Sequence, residues 1–398
     1  VTNRKRGKAG GRRKAQPGDA DALLQASWAA ASKGDLRAAR RHLLKAVKAR
    51  PDDSALRHNL GELNAADGRV DEAAVAFAKA LAMDPGLAAS AERLAQLLGR
   101  FAMDGPEKLP DDGLAAAFEH AHIDLDGIAR AAIAKRCREK PLSALLAAGR
   151  KHGWPAAARD MLEGPGAPLL ADPLLRLALS HGINRDAAVE NLLTQVRREI
   201  LFEQDDARLL AEPLGGFATA LVRQCLNTEH ALAVSDDERD ALASLGEAPA
   251  APLSRALYDP LETLIAGAGG PAVSDALPAG FRTLIAEQRR EMAAEAEHAA
   301  VIPSLRDLSD ATSKRVAAQY EDRPYPRWTS LNIPAPGAMR DTMARFAPAA
   351  DTGFFDAPFQ VLIAGCGTGR QAIQSAHAYG PKAQVLAMDL IPICKNNH

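Results

Sequence analysis

One short stretch limits what this chain can fold into more than any other: Val361-Leu-Ile-Ala-Gly365-Cys-Gly367-Thr-Gly369-Arg370, followed by an apolar run that stops at Asp389. An apolar strand, a glycine-rich turn, a helix and a second strand ending in an acid make up the sequence form of a nucleotide-type βαβ unit. The glycines have a physical role, because without a Cβ they tolerate positive φ and let backbone N–H groups approach a ligand closely. The acid has one too. A carboxylate at the end of the second strand can accept hydrogen bonds from both hydroxyls of a ribose, and Asp389 follows the last glycine at the usual offset for that task, about 20 residues.

The glycine spacing separates two classes of cofactor. A dinucleotide fingerprint begun at Gly365 needs its third glycine at position 370, which is Arg370. The pattern present, G-x-G-x-G, resembles the first motif of class I S-adenosylmethionine-dependent methyltransferases, whose cofactor carries no pyrophosphate. Many of those enzymes place an acid two residues before the first glycine, where this chain has Ile363. A tight strand-to-helix connection without a ligand is the competing reading of the three glycines.

The rest of the chain reads as helical. Its 398 residues are enough for two or three domains, and 47% hydrophobic with 25% charged residues and a net charge of −1 suits a globular protein without a global basic field. Cys137, Cys225, Cys366 and Cys394 show no paired spacing, so neither a disulfide framework nor a zinc site is expected, and a reducing cytoplasm fits. No apolar run approaches membrane-spanning length and no signal peptide opens the chain, so the expectation is a cytoplasmic protein with no membrane partner.

Residues 1–18 form a basic tail, with Arg4, Lys5, Arg6, Lys8, Arg12, Arg13 and Lys14 and no acid before Asp19. Disorder is expected there. Such an arm can contact nucleic acid or anionic membrane surfaces, but without an interleaved aromatic for base stacking a solvated tail is the favoured reading.

Residues 19–101 repeat themselves. Gly34, Ala39, Leu43, Ala46 and Pro51 recur at one common offset as Gly68, Ala73, Phe77, Ala80 and Pro85, a period of about 34 residues. This resembles tetratricopeptide repeats, in which small residues let paired helices approach and a proline closes the second helix. Two units are clear, with Ala88 to Phe101 as a cap. The resemblance implies a concave surface for a peptide or protein partner, and a purely structural extension is the alternative.

Residues 102–308 are expected to be one all-α domain, punctuated at Asp104-Gly-Pro, Gly164-Pro-Gly, Pro249-Ala-Ala-Pro and Gly267-Ala-Gly-Gly-Pro. A helix from Asp186 to Phe202 places Val189, Leu192, Leu193, Val196, Ile200 and Leu201 on one face, and Arg197, Arg198 and Glu199 are expected to point away. A second helix is expected over Phe281 to Ala300. Glu119, His120, His122 and Asp124 are too closely spaced along a helix to share an ion easily, so no metal is expected. Cys225 and His230 form a possible nucleophile pair in sequence, though a cysteine on an apolar helix is more often a small core residue.

Residues 309–355 connect the helices to the α/β segment. Within them, Gln319 to Trp328 concentrates Tyr320, Tyr325 and Trp328 in a chain with only four tyrosines and three tryptophans. Pro324 and Pro326 hold that backbone extended. Tyr320, Tyr325, Arg327 and Trp328 are therefore candidates for a lid over the cofactor mouth, with a packed linker as the other reading.

Taken together, the repeats, the Gln-Tyr-Glu-x-x-Pro-Tyr-Pro-Arg-Trp strip, Arg223-Gln-Cys-Leu-Asn-Thr-Glu and the glycine turn resemble bacterial proteins that join tetratricopeptide repeats to a class I methyltransferase domain. The resemblance implies S-adenosyl-L-methionine as cofactor, with Gly365, Cys366, Gly367, Thr368 and Gly369 along its methionine end and Asp389 on its ribose. It names no methyl acceptor and no catalytic base. It also implies further strands after residues 356–398, a truncated start of a Rossmann-like domain, whereas the chain stops nine residues after Asp389. The expectation is a truncated or frame-shifted ending, an open sheet edge at Val385 to Met388, and little or no methyl transfer by the chain as written. The alternative function is a repeat-based interaction scaffold with an inert α/β remnant.

Overall fold

The computed structural model describes residues 17–99, 106–120, 122–246, 250–266, 274–303, 310–312, 314–315, 328, 330–331 and 333–389. The basic tail up to residue 16, Tyr320, Tyr325, Arg327 and the ending from residue 390 lie outside the described residues. The protein is mostly α-helical, with one small parallel sheet near the C-terminal end. The chain divides into two compact units, residues 1–97 with 106–117, and residues 98–105 with 118–398.

The first unit is built on the sequence repeat. Helices α1 (Pro17–Ala31), α2 (Leu36–Ala49), α3 (Ser54–Ala66), α4 (Val70–Met83) and α5 (Ala88–Leu98) follow one another. The limits of α4 are those of α2 shifted by one repeat, and α5 begins one repeat after α3. Gly34 and Gly68 adopt φ of +78° and +73° in the two matching turns, a conformation that costs a side chain about 1–2 kcal/mol. Ala39, Ala46, Ala73 and Ala80 are fully buried, with Leu43 and Phe77 between them, as the repeat spacing requires.

The structure extends the period to Ser27 and Gly61. Ser27 Oγ donates to the Ala39 carbonyl at 2.9 Å, and a Cβ at Gly61 would lie 2.6 Å from the Phe77 ring. Both positions therefore hold the tight contact between the two helices of a pair. A further short helix, α6 (Asp111–Ala117), packs on α4. It does so through Gly113, where a Cβ would fall 1.9 Å from the Ala78 carbonyl oxygen.

The second unit opens with a helical array: α7 (Leu125–Arg138), α8 (Leu142–His152), α9 (Trp154–Glu163), α10 (Pro173–His181), α11 (Ala187–Glu203), α12 (Asp206–Leu210), α13 (Leu214–Asn227), α14 (Asp236–Ser244), α15 (Ala251–Ala256), α16 (Leu261–Ala266) and α17 (Ala279–Val301). Helix α11 starts where the sequence suggests, because the Asp186 carboxylate accepts the Ala188 and Val189 N–H groups at 2.8 and 3.0 Å. Its apolar face packs as expected, with Val189, Leu192, Leu193, Val196, Ile200 and Leu201 all buried. The expected outward direction of Arg197 is overturned. Arg197 is fully buried, held by carbonyl and carboxylate partners that come from beyond the helix.

After this array come α18 (Ala338–Phe346), strand β1 (Phe359–Ala364), α19 (Arg370–Tyr379) and strand β2 (Ala383–Met388). The strands pair in parallel with Val361 opposite Val385 and Ile363 opposite Ala387, forming the expected βαβ unit. The connecting segment is more structured than its composition suggests. Helix α18 packs on α19, and the Gly337 N–H donates to the His377 carbonyl at 3.2 Å. Arg340 binds Asp356 with both guanidinium ends, at 2.7 and 2.9 Å. Phe354 stacks on Phe355 at 4.2 Å, and Phe359 and Tyr379 complete the aromatic cluster that joins the strand to its helix. These contacts give the small α/β part an apolar centre of its own. The other face of the sheet is open: Leu362 and Leu386, opposite each other in register, are 62% and 60% exposed.

Candidate cofactor site

Parallel register carries β1 and β2 to the same level, so the chain leaves both strands side by side. From there the turn is built on the backbone of the second strand. The Gly365 and Cys366 N–H groups both donate to the Met388 carbonyl, at 2.7 and 3.1 Å. One residue on, the Gly367 N–H donates to Asp389 Oδ2 at 2.7 Å. The Gly369 N–H then donates back to the Cys366 carbonyl at 3.0 Å, closing the turn into α19.

All three glycines need their lack of a side chain. Gly365, Gly367 and Gly369 have φ of +73°, +52° and +83°, in the left-handed region that L-residues rarely adopt. Among the described residues no atom lies within 4 Å of where their Cβ atoms would be, so the constraint is conformational and the space over the turn is open. Gly369 is also the N-cap of α19, and it aims the helix start toward that space. Arg370, the residue that breaks the dinucleotide spacing, is the first residue of this helix.

The turn also has a strap. Trp328 is buried, and its indole Nε1–H donates to Thr368 Oγ1 at 3.1 Å and reaches the Thr368 carbonyl at 3.3 Å. Two residues later, Ser330 Oγ accepts the N–H of Leu125, the first residue of α7, at 2.8 Å. Leu331 is buried beside it in sequence. Through Trp328 and Ser330 the strap thus ties the glycine turn to the helical array. Of the four lid candidates, Trp328 is the one within the described residues, and its indole N–H donates to Thr368. Sequence reasoning singled out Trp328 and Thr368 separately. Their pairing could not be read, because 40 residues separate them.

Elsewhere the candidate chemistry recedes. Cys225 is completely buried, and burial pushes its thiol up to about 11 although the nearby Arg197 charge opposes the shift. A protonated, enclosed thiol is no nucleophile at neutral pH. Its link to His230 runs through the backbone, the His230 N–H donating to the Cys225 carbonyl at 2.7 Å. Asp124 caps α7 by accepting the Asp126 N–H at 3.1 Å. Among the described residues no group of three or more His, Cys, Asp or Glu side chains could hold a metal ion, and no helix is long and apolar enough to cross a membrane.

A buried ionic network that the sequence hid lies around Arg197. Its guanidinium donates to the Ala233 carbonyl at 2.5 Å, approaches Glu238 at 3.9 Å and lies 4.1 Å above the Tyr258 ring. Glu238 in turn accepts from Ser235 N–H at 2.8 Å, Ser235 Oγ at 2.6 Å and Tyr258 OH at 2.8 Å. Burial pushes the Glu238 carboxyl up, but the Ser235 and Tyr258 hydrogen bonds and the Arg197 charge outweigh it and leave the group below its ordinary value. Burial together with the Glu238 bond holds the Tyr258 phenol well above its ordinary range. The Arg197 and Glu238 charges face each other inside the protein, although Arg197 Nε has no hydrogen-bond partner among the described residues, and an enclosed pair of this kind marks a structural network.

No protein-family model, curated protein or solved structure matches this chain.

Proposed function

We propose that the glycine turn and Asp389 bind S-adenosyl-L-methionine and that the protein acts as a methyltransferase on an acceptor the structure does not identify. The observation that carries the reading is the Gly367 N–H to Asp389 carboxylate bond across a turn of three positive-φ glycines at the carboxyl ends of two parallel strands. Ligands of open α/β sheets bind at that end of the strands. The residues present fit the group. An exposed carboxylate and the open space over three glycines suit an adenosine bearing an amino-acid arm, and Arg370 in the place of a third dinucleotide glycine argues against a pyrophosphate ligand.

When bound, the cofactor supplies an already activated methyl group. The chain's own contribution is positional: Asp389 orients the ribose, the glycine turn holds the methionine end, and the Trp328 strap fixes Thr368 in the wall of the turn. Calorimetric titration tests the reading. Heat on adding S-adenosylmethionine, lost in Asp389→Ala, is the expected outcome, with no heat from a nicotinamide dinucleotide. A flat S-adenosylmethionine trace for a folded protein overturns it.

A second reading has its own observation, the repeated register of the first unit, which supports a tetratricopeptide-type scaffold for a peptide or protein partner. A peptide array probed with the intact chain tests it, and an array without any sequence-selective signal counts against it.

A further inference from the structure

The glycine turn has little stiffness of its own. Gly365, Gly367 and Gly369 sit at positive φ, and among the described residues no atom comes within 4 Å of where their Cβ atoms would be, so backbone bonds and not packing give the turn its shape. Thr368 lies between the last two glycines. The Trp328 indole meets it at both the hydroxyl and the carbonyl oxygen. Where Thr368 stands therefore depends on where Trp328 is held.

The anchor for Trp328 comes two residues later. Ser330 is buried, and its hydroxyl accepts the N–H of Leu125, also buried, at 2.8 Å across 205 residues of chain. Leu125 opens α7, at a position where a helix cannot satisfy its own N–H groups. Asp124 takes the N–H of Asp126 at 3.1 Å, and Ser330 takes that of Leu125. The start of α7 is itself fastened. The Asp126 carboxylate accepts the Ile183 N–H at 3.3 Å and an Arg185 guanidinium N–H at 2.9 Å, which ties the first turn of α7 to the chain between α10 and α11. A continuous line of bonds runs from the helical array through α7, Ser330 and Trp328 to the glycine turn.

We propose that Ser330 is a positioning residue for the glycine turn: by anchoring the strap to α7 it sets where the Trp328 indole holds Thr368, and so keeps the turn in the shape that receives a ligand. The consequence for binding rests on the cofactor reading above, whereas the effect on Trp328 does not. A turn that keeps its binding shape for only part of the time binds more weakly in proportion to that fraction. With one neutral hydrogen bond removed, Ser330→Ala should weaken S-adenosylmethionine about 3- to 10-fold in calorimetry. Ser330→Thr, which keeps the hydroxyl, should restore it.

Two readouts separate this role from a plain cap on α7. In isotope-labelled protein the indole N–H groups of Trp28, Trp154 and Trp328 give separate magnetic-resonance signals, and the one lost in Trp328→Phe belongs to Trp328. In Ser330→Ala that signal should shift and broaden while the other two stay in place. Ser330→Ala added to Trp328→Phe should cost no further affinity, because both changes cut the same line of bonds. Circular dichroism verifies that each variant is folded. An unmoved Trp328 signal in Ser330→Ala, or an additive loss in the double variant, overturns the proposal. If the parent protein itself takes up no S-adenosylmethionine, the cofactor reading fails, and the indole signal alone decides whether Ser330 positions the strap.

Discussion

Replacing Arg197 with methionine tests the buried network most directly. The side chain is fully buried, and its charge is balanced by the Glu238 carboxylate, itself 5% exposed, and by the Tyr258 ring 4.1 Å away. Methionine fills much of the same volume but leaves Glu238 buried without its cation, while the Ser235 and Tyr258 donors remain. Breaking one half of a buried pair costs about 3–5 kcal/mol. In a domain of this size that lowers the melting temperature by roughly 6–20 °C.

The double variant Arg197→Met, Glu238→Gln removes both charges and keeps a hydrogen-bonding side chain for Ser235 and Tyr258, so it should recover at least half of the loss. Acid titration gives an independent readout. Glu238 lies below its ordinary 4.5 in the folded protein, so its contribution is fully present above that value and is lost as pH falls through the folded value. Glu238→Gln should flatten stability against pH in that acidic window. The measurement is thermal unfolding of the four proteins by circular dichroism between acidic and neutral pH. A single variant that melts with the parent, or a double variant no better than the single, refutes the reasoning.

Other outcomes follow from particular contacts. Gly61→Val places its side chain against the buried Phe77 ring, 2.6 Å from the new Cβ, and should destabilise the first unit by about 1–3 kcal/mol in denaturant unfolding. Gly369→Ala meets no described neighbour but must hold φ near +83°, so about 1–2 kcal/mol of local strain should loosen the turn and weaken S-adenosylmethionine in calorimetry. Trp328→Phe removes the indole donor to Thr368 and should lower cofactor affinity severalfold, with the unfolding of the helical array little changed. Cys225 should resist alkylation at mildly alkaline pH until denaturant is added, which mass spectrometry of labelled peptides would check.

The parts legible in the sequence share a physical cause. The helical repeat, the start of α11 at Asp186, its apolar face and the glycine turn all depend on residues close together in the chain, where helical period, side-chain size and allowed φ are local properties. Asp389 belongs with them, since one strand's length fixes where its carboxylate emerges, and it does meet the turn, through the Gly367 N–H. Helix α18 was hidden by its setting, a nine-residue element that follows a glycine in the left-handed region within a segment that reads as a linker.

Tertiary structure alone decided where the charged and aromatic side chains go. Arg197 reads as surface by helical spacing, yet the carbonyls of Ala233 and Leu257 and the Glu238 carboxylate come from chain 36 or more residues away and make a site for it in the core. Trp328 finds Thr368, Ser330 finds α7, and Arg40 finds Asn64 in the same way. Periodicity records which side of a helix faces other protein. Whether a charge can stay on that side depends on partners that folding brings from elsewhere, and no local pattern encodes them.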